Sequence, residues 1–136
     1  MADSLQLRIV TPNRLLLDER VHEVTAPGTV GEFGVLPNHV AFLSTLAMGT
    51  LSFRSNRGQR RIAVRGGFAE VMDNVMTVLA DDALFAEDVN TTAARSDLRA
   101  AEAELHDLSP LEDAFAAAEA RRRWAQARLE SASAAR

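Results

Sequence analysis

The residues most often used for proton transfer or metal binding are few in this chain: three histidines, at 22, 39 and 106, and no cysteine. The histidines are far apart and share no metal-ligand spacing. His39 follows Pro37-Asn38 in a loop and reads as a structural hydrogen-bonding group. His22, on a strand-like segment, and His106, at a helix end, read as surface groups. Serines and threonines are plentiful, but none lies in a nucleophile-elbow pattern. Asp81-Asp82 resembles a catalytic carboxylate pair only superficially, because neighbouring residues at a strand end face different ways. An acidic turn is the better reading. The segment Gly28-Thr29-Val30-Gly31-Glu32-Phe33-Gly34 has the glycines of a phosphate-cradling loop. It lacks the Gly-Lys-Ser/Thr ending, and no helix signal follows it. Its glycines are therefore expected to serve positive-φ turns or close backbone approach. No catalytic, cofactor or metal set emerges, and the chain reads as non-catalytic.

The basic run Arg121-Arg122-Arg123-Trp124 admits two readings: a helix for a membrane surface, or a charged helix face whose tryptophan packs on the rest of the chain or on a partner. Glu112, Asp113, Glu119 and Glu130 dilute the charge, which favours the second. The chain as a whole has 15 basic residues against 19 acidic ones, a net charge of -4. A phosphate backbone needs a basic surface, so nucleic acid is not the expected ligand. All the basic residues are arginine; a GC-rich genome and a use for bidentate contacts both account for that.

The elements that must position these residues fall into two regions. From Leu5 to about Ala83 the chain reads as short strands. Leu5–Ile9 alternates with period two and stops at Thr11-Pro12-Asn13. Arg14–Leu17, Arg20–Ala26, Gly49–Arg54, Arg61–Arg65, Phe68–Met72 and Val75–Ala80 follow, separated by turn signals that include Ser55-Asn56-Arg57-Gly58, Gly66-Gly67 and Asp73-Asn74. Such a series predicts an antiparallel sandwich or barrel. Its expected core is Leu7, Ile9, Val24, Phe42, Leu51, Phe53, Ile62, Val64, Phe68, Val71, Val78 and Leu79. The face of single residues stays open, since Met76 and Val78 compete with Val75, Thr77 and Leu79.

The pattern changes near Phe85. From Ala86 to Arg136, 16 of 51 residues are alanine and none is glycine, which marks helix rather than strand. Ala94, Leu98, Ala101, Leu105 and Leu108 make one apolar stripe; Leu111, Phe115, Ala118, Ala125 and Leu129 make a second, interrupted by Arg122. Between them Ser109-Pro110-Leu111-Glu112 has the composition of a capping box with proline at the first helical position. Two antiparallel helices joined by two or three residues are expected. With so little large apolar surface, they should lean on the β region or on another protein. The start, Met1-Ala2-Asp3-Ser4, has neither the basic residues nor the apolar stretch of a secretory leader. No run approaches the length needed to span a bilayer. Membrane association is expected only through a partner, and the missing cysteines fit a reducing compartment.

The residues from Pro27 to His39, with Leu46 and Gly49-Thr50-Leu51 after them, resemble the signature of the F-type ATP synthase epsilon subunit family. Gly66-Gly67-Phe68-Ala69-Glu70-Val71 and Asn74–Asp81 resemble its second conserved block, and the order of features matches over the whole chain. The resemblance implies an α+β fold: an antiparallel β-sandwich of about ten strands over residues 1–85, then a two-helix hairpin over residues 86–136. It implies a non-catalytic rotor subunit in the central stalk of a proton-translocating synthase, at the cytoplasmic face of the bacterial inner membrane. Its partners would be the gamma subunit and the c-ring, with no insertion into the bilayer, and the hairpin would reach the alpha and beta subunits in members where it restrains hydrolysis. Gly31, Glu32, Phe33, Pro37, Asn38, His39, Glu70, Arg121, Arg122, Arg123 and Trp124 are the partner-contact candidates. In some members the hairpin binds ATP through an aliphatic-Asp-x-x-Arg-Ala motif. Here those positions hold Val89, Asn90, Thr91, Thr92, Ala93 and Ala94, so both charged residues are absent and no cofactor is expected.

Overall fold

Alternation of apolar and polar residues produces eight strands, which the computed structural model describes within residues 3–134. They are β1 (Leu5–Thr11), β2 (Arg14–Val21), β3 (Glu23–Gly28), β4 (Gly31–Val35), β5 (Phe42–Ser55), β6 (Gly58–Met72), β7 (Val75–Ala80) and β8 (Ala83–Phe85). A single 3₁₀ turn (Ala86–Asp88) leads to α1 (Thr91–His106) and α2 (Asp113–Ala134). The sheet order is β2-β1-β7-β6-β5-β3-β4, with β8 against β6.

A β-sandwich followed by two helices is thus the observed architecture, with eight strands among the described residues where about ten were expected. The difference lies in β5 and β6, of 14 and 15 residues. Their antiparallel ladder lapses at Ala47 and Gly66, and each strand continues from one layer into the other. The two halves of β6 differ in their neighbours: Gly67–Met72 pairs with β7, whereas Ile62–Val64 pairs with β8. Gly67 permits the bend, since its φ is +114° and a Cβ there would lie 2.0 Å from the Leu79 carbonyl oxygen. One pairing is also parallel, between Gln6–Val10 and Val75–Leu79. Local periodicity carries no information about the direction of strands so far apart in sequence.

Between the layers lie Leu5, Leu7, Ile9, Val24, Leu51, Phe53, Ile62, Val64, Val71, Met76 and Val78, each at most 1% exposed. Three expected core residues are elsewhere: Phe68 is 53% exposed, Leu79 52% and Phe42 37%. On β7 the buried set is Met76, Val78 and Ala80, so period two turns Leu79 outward. Its antiparallel partner Phe68 goes with it.

The helices pack through small residues. Ala94 and Ala101 of α1 and Ala118 and Ala125 of α2 are buried. Asn90 caps α1, its Oδ1 accepting from the Ala93 N–H at 3.0 Å. The turn before α2 forms the bonds of a capping box: the Ser109 N–H donates to Glu112 Oε2 (2.6 Å), and the Leu111 N–H reaches Ser109 Oγ (3.3 Å). The α-helix itself begins later, at Asp113, so the connection is longer than expected. Leu111 extends into solvent rather than joining the apolar stripe. No helix among the described residues is long and apolar enough to cross a membrane.

Candidate partner-binding face

Register places one apolar row on the outside of the layer that contains β2, β1, β7 and the ends of β6 and β5. Leu15 stands opposite Val10, Val10 opposite Leu79, Leu79 opposite Phe68, and Phe68 opposite Thr45. Leu15, Leu79 and Phe68 are each about half exposed. The next row reads Leu43, Glu70, Thr77, Arg8 and Asp18, and here Leu43 is 70% exposed. Met72 and Val75 begin a third. The apolar residues concentrate on β5, β6 and β7. Toward the β2 edge the surface turns polar, with Arg8 Nε 3.7 Å from Asp18 and Gln6 Nε2 donating to Asp18 Oδ1 at 2.6 Å. A continuous exposed patch of this kind is the surface feature that marks a binding face.

The other layer is not open in the same way. There α2 lies over β5 and β6. Ala127 and Ser131 are buried at this contact, and Thr50 Oγ1 shares a 2.6 Å hydrogen bond with Ser131 Oγ.

The partner candidates from the sequence divide between these two regions. Gly31 opens β4 at a φ of +134°, and Glu32 beside it is exposed. Phe33 meets Phe42 edge-to-face at 5.1 Å, and Phe42 meets the His39 ring at 5.8 Å. His39 Nδ1 lies 2.8 Å from the Val40 carbonyl oxygen, a local hydrogen bond of the loop. Pro37 is half-buried in the same loop, and the Asn38 N–H donates to Asn74 Oδ1 at 2.8 Å. Glu70 projects from the open face between Leu43 and Thr77. These residues therefore border one another or the open face.

Arg121, Arg122, Arg123 and Trp124 stand apart, on α2. Arg121 pairs with Glu104 (3.0 Å) and Arg128 with Asp97 (3.0 Å), both bridges from α2 to α1. Arg122 and Arg123 share Glu119, whose carboxyl is held down to about 2, chiefly by Arg122 and then by Arg123. Arg65, Arg121, Arg128 and Trp124 line a cleft of about 280 Å³ between hairpin and sheet. Asn90 is engaged as a helix cap, Ala93 is exposed, Val89 is half-buried and Ala94 is fully buried. Among the described residues no cluster of His, Asp and Glu is placed to hold a metal ion.

Val10, Leu15, Leu43, Met72 and Leu79 were absent from the sequence-based contact set. The available signal was the two-sided hydrophobicity of Val75–Leu79, which suits a strand buried on one face and covered by something else on the other.

Residues 4–86 match the family described as ATP synthase, Delta/Epsilon chain, beta-sandwich domain. The ATP synthase epsilon chain of Nitratidesulfovibrio vulgaris (strain DP4) is 54% identical over 95 residues, covering 70% of this chain and 71% of the relative. The chain belongs to the ATP synthase epsilon chain family. Similarity to the epsilon chain of Geotalea uraniireducens (strain Rf4) spans nearly everything: 38% identity over 132 residues, 97% of this chain and 96% of that one. A chain of the Euglena gracilis mitochondrial ATP synthase, solved as an OSCP/F1/c-ring assembly in rotational state 1, superposes with a TM-score of 0.83 at 26% identity, over 97% of this chain and 82% of that chain. A central-stalk and c-ring structure of the Tetrahymena thermophila enzyme shares the fold, with a TM-score of 0.68, 19% identity, and coverage of 93% and 95%. Membership of the epsilon family makes this chain a non-catalytic accessory subunit of ATP synthase.

Proposed function

We propose that this chain is a central-stalk rotor subunit of a bacterial proton-translocating F-type ATP synthase, peripheral to the cytoplasmic face of the inner membrane. It binds the gamma subunit, rests on the c-ring and turns with both, passing ion-driven rotation to the catalytic head. The observation that carries this reading is the open apolar face from Leu15 to Phe68 on a chain of the epsilon family. A rotor adaptor has to hold its partner through many cycles of torque, and an extended apolar face provides that better than exposed ion pairs do. We assign this face, with Leu43 and Glu70, to gamma. Residues 86–136 are assigned to a separate arm.

Co-purification with gamma tests the assignment. Phe68→Glu with Leu79→Glu, two solvent-facing changes, should leave folding intact and weaken the complex at least tenfold, the scale set by losing anchors worth about 2 kcal/mol. Undiminished binding would move the gamma site elsewhere.

The arm is not a nucleotide site in this reading. Ala93 supplies no guanidinium for phosphate, and Arg121 and Arg128 are already paired to α1. Calorimetry on the isolated chain is expected to show no tight stoichiometric uptake of ATP; a one-to-one isotherm would overturn this.

A further inference from the structure

Asn74 makes three hydrogen bonds to two separate segments, the β4–β5 loop and the start of β1. Its Oδ1 accepts from the Asn38 N–H (2.8 Å), its Nδ2 donates to the Ser4 carbonyl oxygen (2.8 Å), and its own carbonyl oxygen accepts from the Gln6 N–H (3.1 Å). Asp73 and Asn74 form the two-residue turn between β6 and β7, with φ of 51° and 64°. Both angles belong to the tight hairpin turn that asparagine and glycine favour. The turn alone would accept glycine at position 74. The side chain has a further effect: it fixes the loop between β4 and β5, where Leu36 and Val40 are 57% and 74% exposed and from which Leu43 emerges onto the open face.

We propose that Asn74 is a positioning residue for partner binding, holding the Leu36–Val40 loop in register with the open face through the Asn38 amide. The partner's identity rests on the rotor reading above; the clamp itself does not. A loop ordered before binding costs less entropy on association than one ordered during it. The hydrogen bond to Asn38 crosses 36 residues of sequence and joins the loop to the same layer that bears Phe68 and Leu79. The bond from Nδ2 instead secures the start of β1, so the two halves of one carboxamide have separable roles.

Two substitutions in the full chain distinguish these roles. Asn74→Gly keeps the left-handed turn and removes the clamp. Asn74→Asp keeps an acceptor for the Asn38 amide and loses the donor to Ser4. For each, amide exchange at Asn38 and affinity for the gamma subunit are measured, with the melting profile as a check on folding. Glycine should expose the Asn38 amide to exchange and weaken gamma binding about threefold to tenfold, the range of one lost hydrogen bond with its ordering. Aspartate should retain both protection and affinity. Retained protection of Asn38 in the glycine variant would overturn the clamp. Freed exchange with unchanged affinity would overturn its role in binding, as would an aspartate variant that binds as weakly as glycine. Failure of the unaltered chain to bind gamma would refute the rotor reading, while the exchange result would still decide the clamp.

Discussion

His22 lies between two acceptors: its Nδ1 is 3.1 Å from the Asp3 carbonyl oxygen and its Nε2 is 2.7 Å from Asn56 Oδ1. Both accept most strongly from a doubly protonated ring. The hydrogen bond to Asn56, then that to Asp3, accordingly raises the group above its ordinary value of 6.5, with Arg54 opposing. Because the folded value exceeds the unfolded one, the stabilisation is full below pH 6.5 and fades as the pH rises through the folded value. A proton NMR titration should place the His22 midpoint above 6.5, and Asn56→Ala should move it down; an unmoved midpoint would mean that Asn56 is not the cause. His22 sits half-buried at the bend between β2 and β3, not on a strand as its sequence neighbours suggest. Its two acceptors were not legible, because Asp3 and Asn56 reach it only after β1, β3 and the β5–β6 turn converge. Phe68 and Leu79 were misread for a related reason: their types suit a core and a partner surface equally well.

At the scale of elements, sheet and hairpin are held by different physics. The sheet buries Phe53, Leu51, Ile62 and their neighbours, side chains worth roughly 1.5 to 3 kcal/mol each when fully removed from water. The hairpin buries alanines and adds surface ion pairs, which are individually worth about 0 to 1 kcal/mol. Glu119 illustrates the limit. Its carboxyl is lowered to about 2, so the stabilisation from its pairing is present above about pH 4.5 and fades as the pH falls to about 2, and solvent screening keeps the contribution small. Amides of residues 91–134 should therefore exchange faster than those of residues 5–80 in the isolated chain, at a rate that rises with salt. Equal protection would show that α2 is anchored more firmly than Ala127, Ser131 and Thr50 suggest. The existence of both regions was legible from period alone, two for the strands and 3.6 for the helices. What escaped was non-local: the parallel pairing of β1 with β7, and the continuity of β5 and β6 between layers. Neither leaves a mark on local alternation, since a strand that crosses from one layer to the next alternates on both sides of the bend.

For the whole molecule, the two outer faces of the sandwich have unequal status. One is covered by the chain's own α2 through small and polar residues; the other is apolar and open. This asymmetry predicts what removal of the hairpin does. A chain ending at Phe85 would uncover Thr50 and Ala63 together with Met48, which lines a cleft with Arg123, Gln126 and Ala127 of α2, while the core between the layers stays intact. The shortened chain should fold, and its open face should still take gamma. Under the rotor reading proposed above, an effect on ATP hydrolysis would require more: Arg121 and Arg128 of α2 would exchange Glu104 and Asp97 of α1 for acids on the alpha and beta subunits. Exchanging one set of exposed pairs for another changes free energy by about 1 kcal/mol or less. Hydrolysis by the assembled enzyme should therefore differ by less than about fivefold between full and shortened chains, the factor that 1 kcal/mol represents. A much larger rise on truncation would show that contacts beyond these pairs hold the hairpin against the head and make it an inhibitor. Loss of assembly would instead show that gamma needs the hairpin as well as the open face.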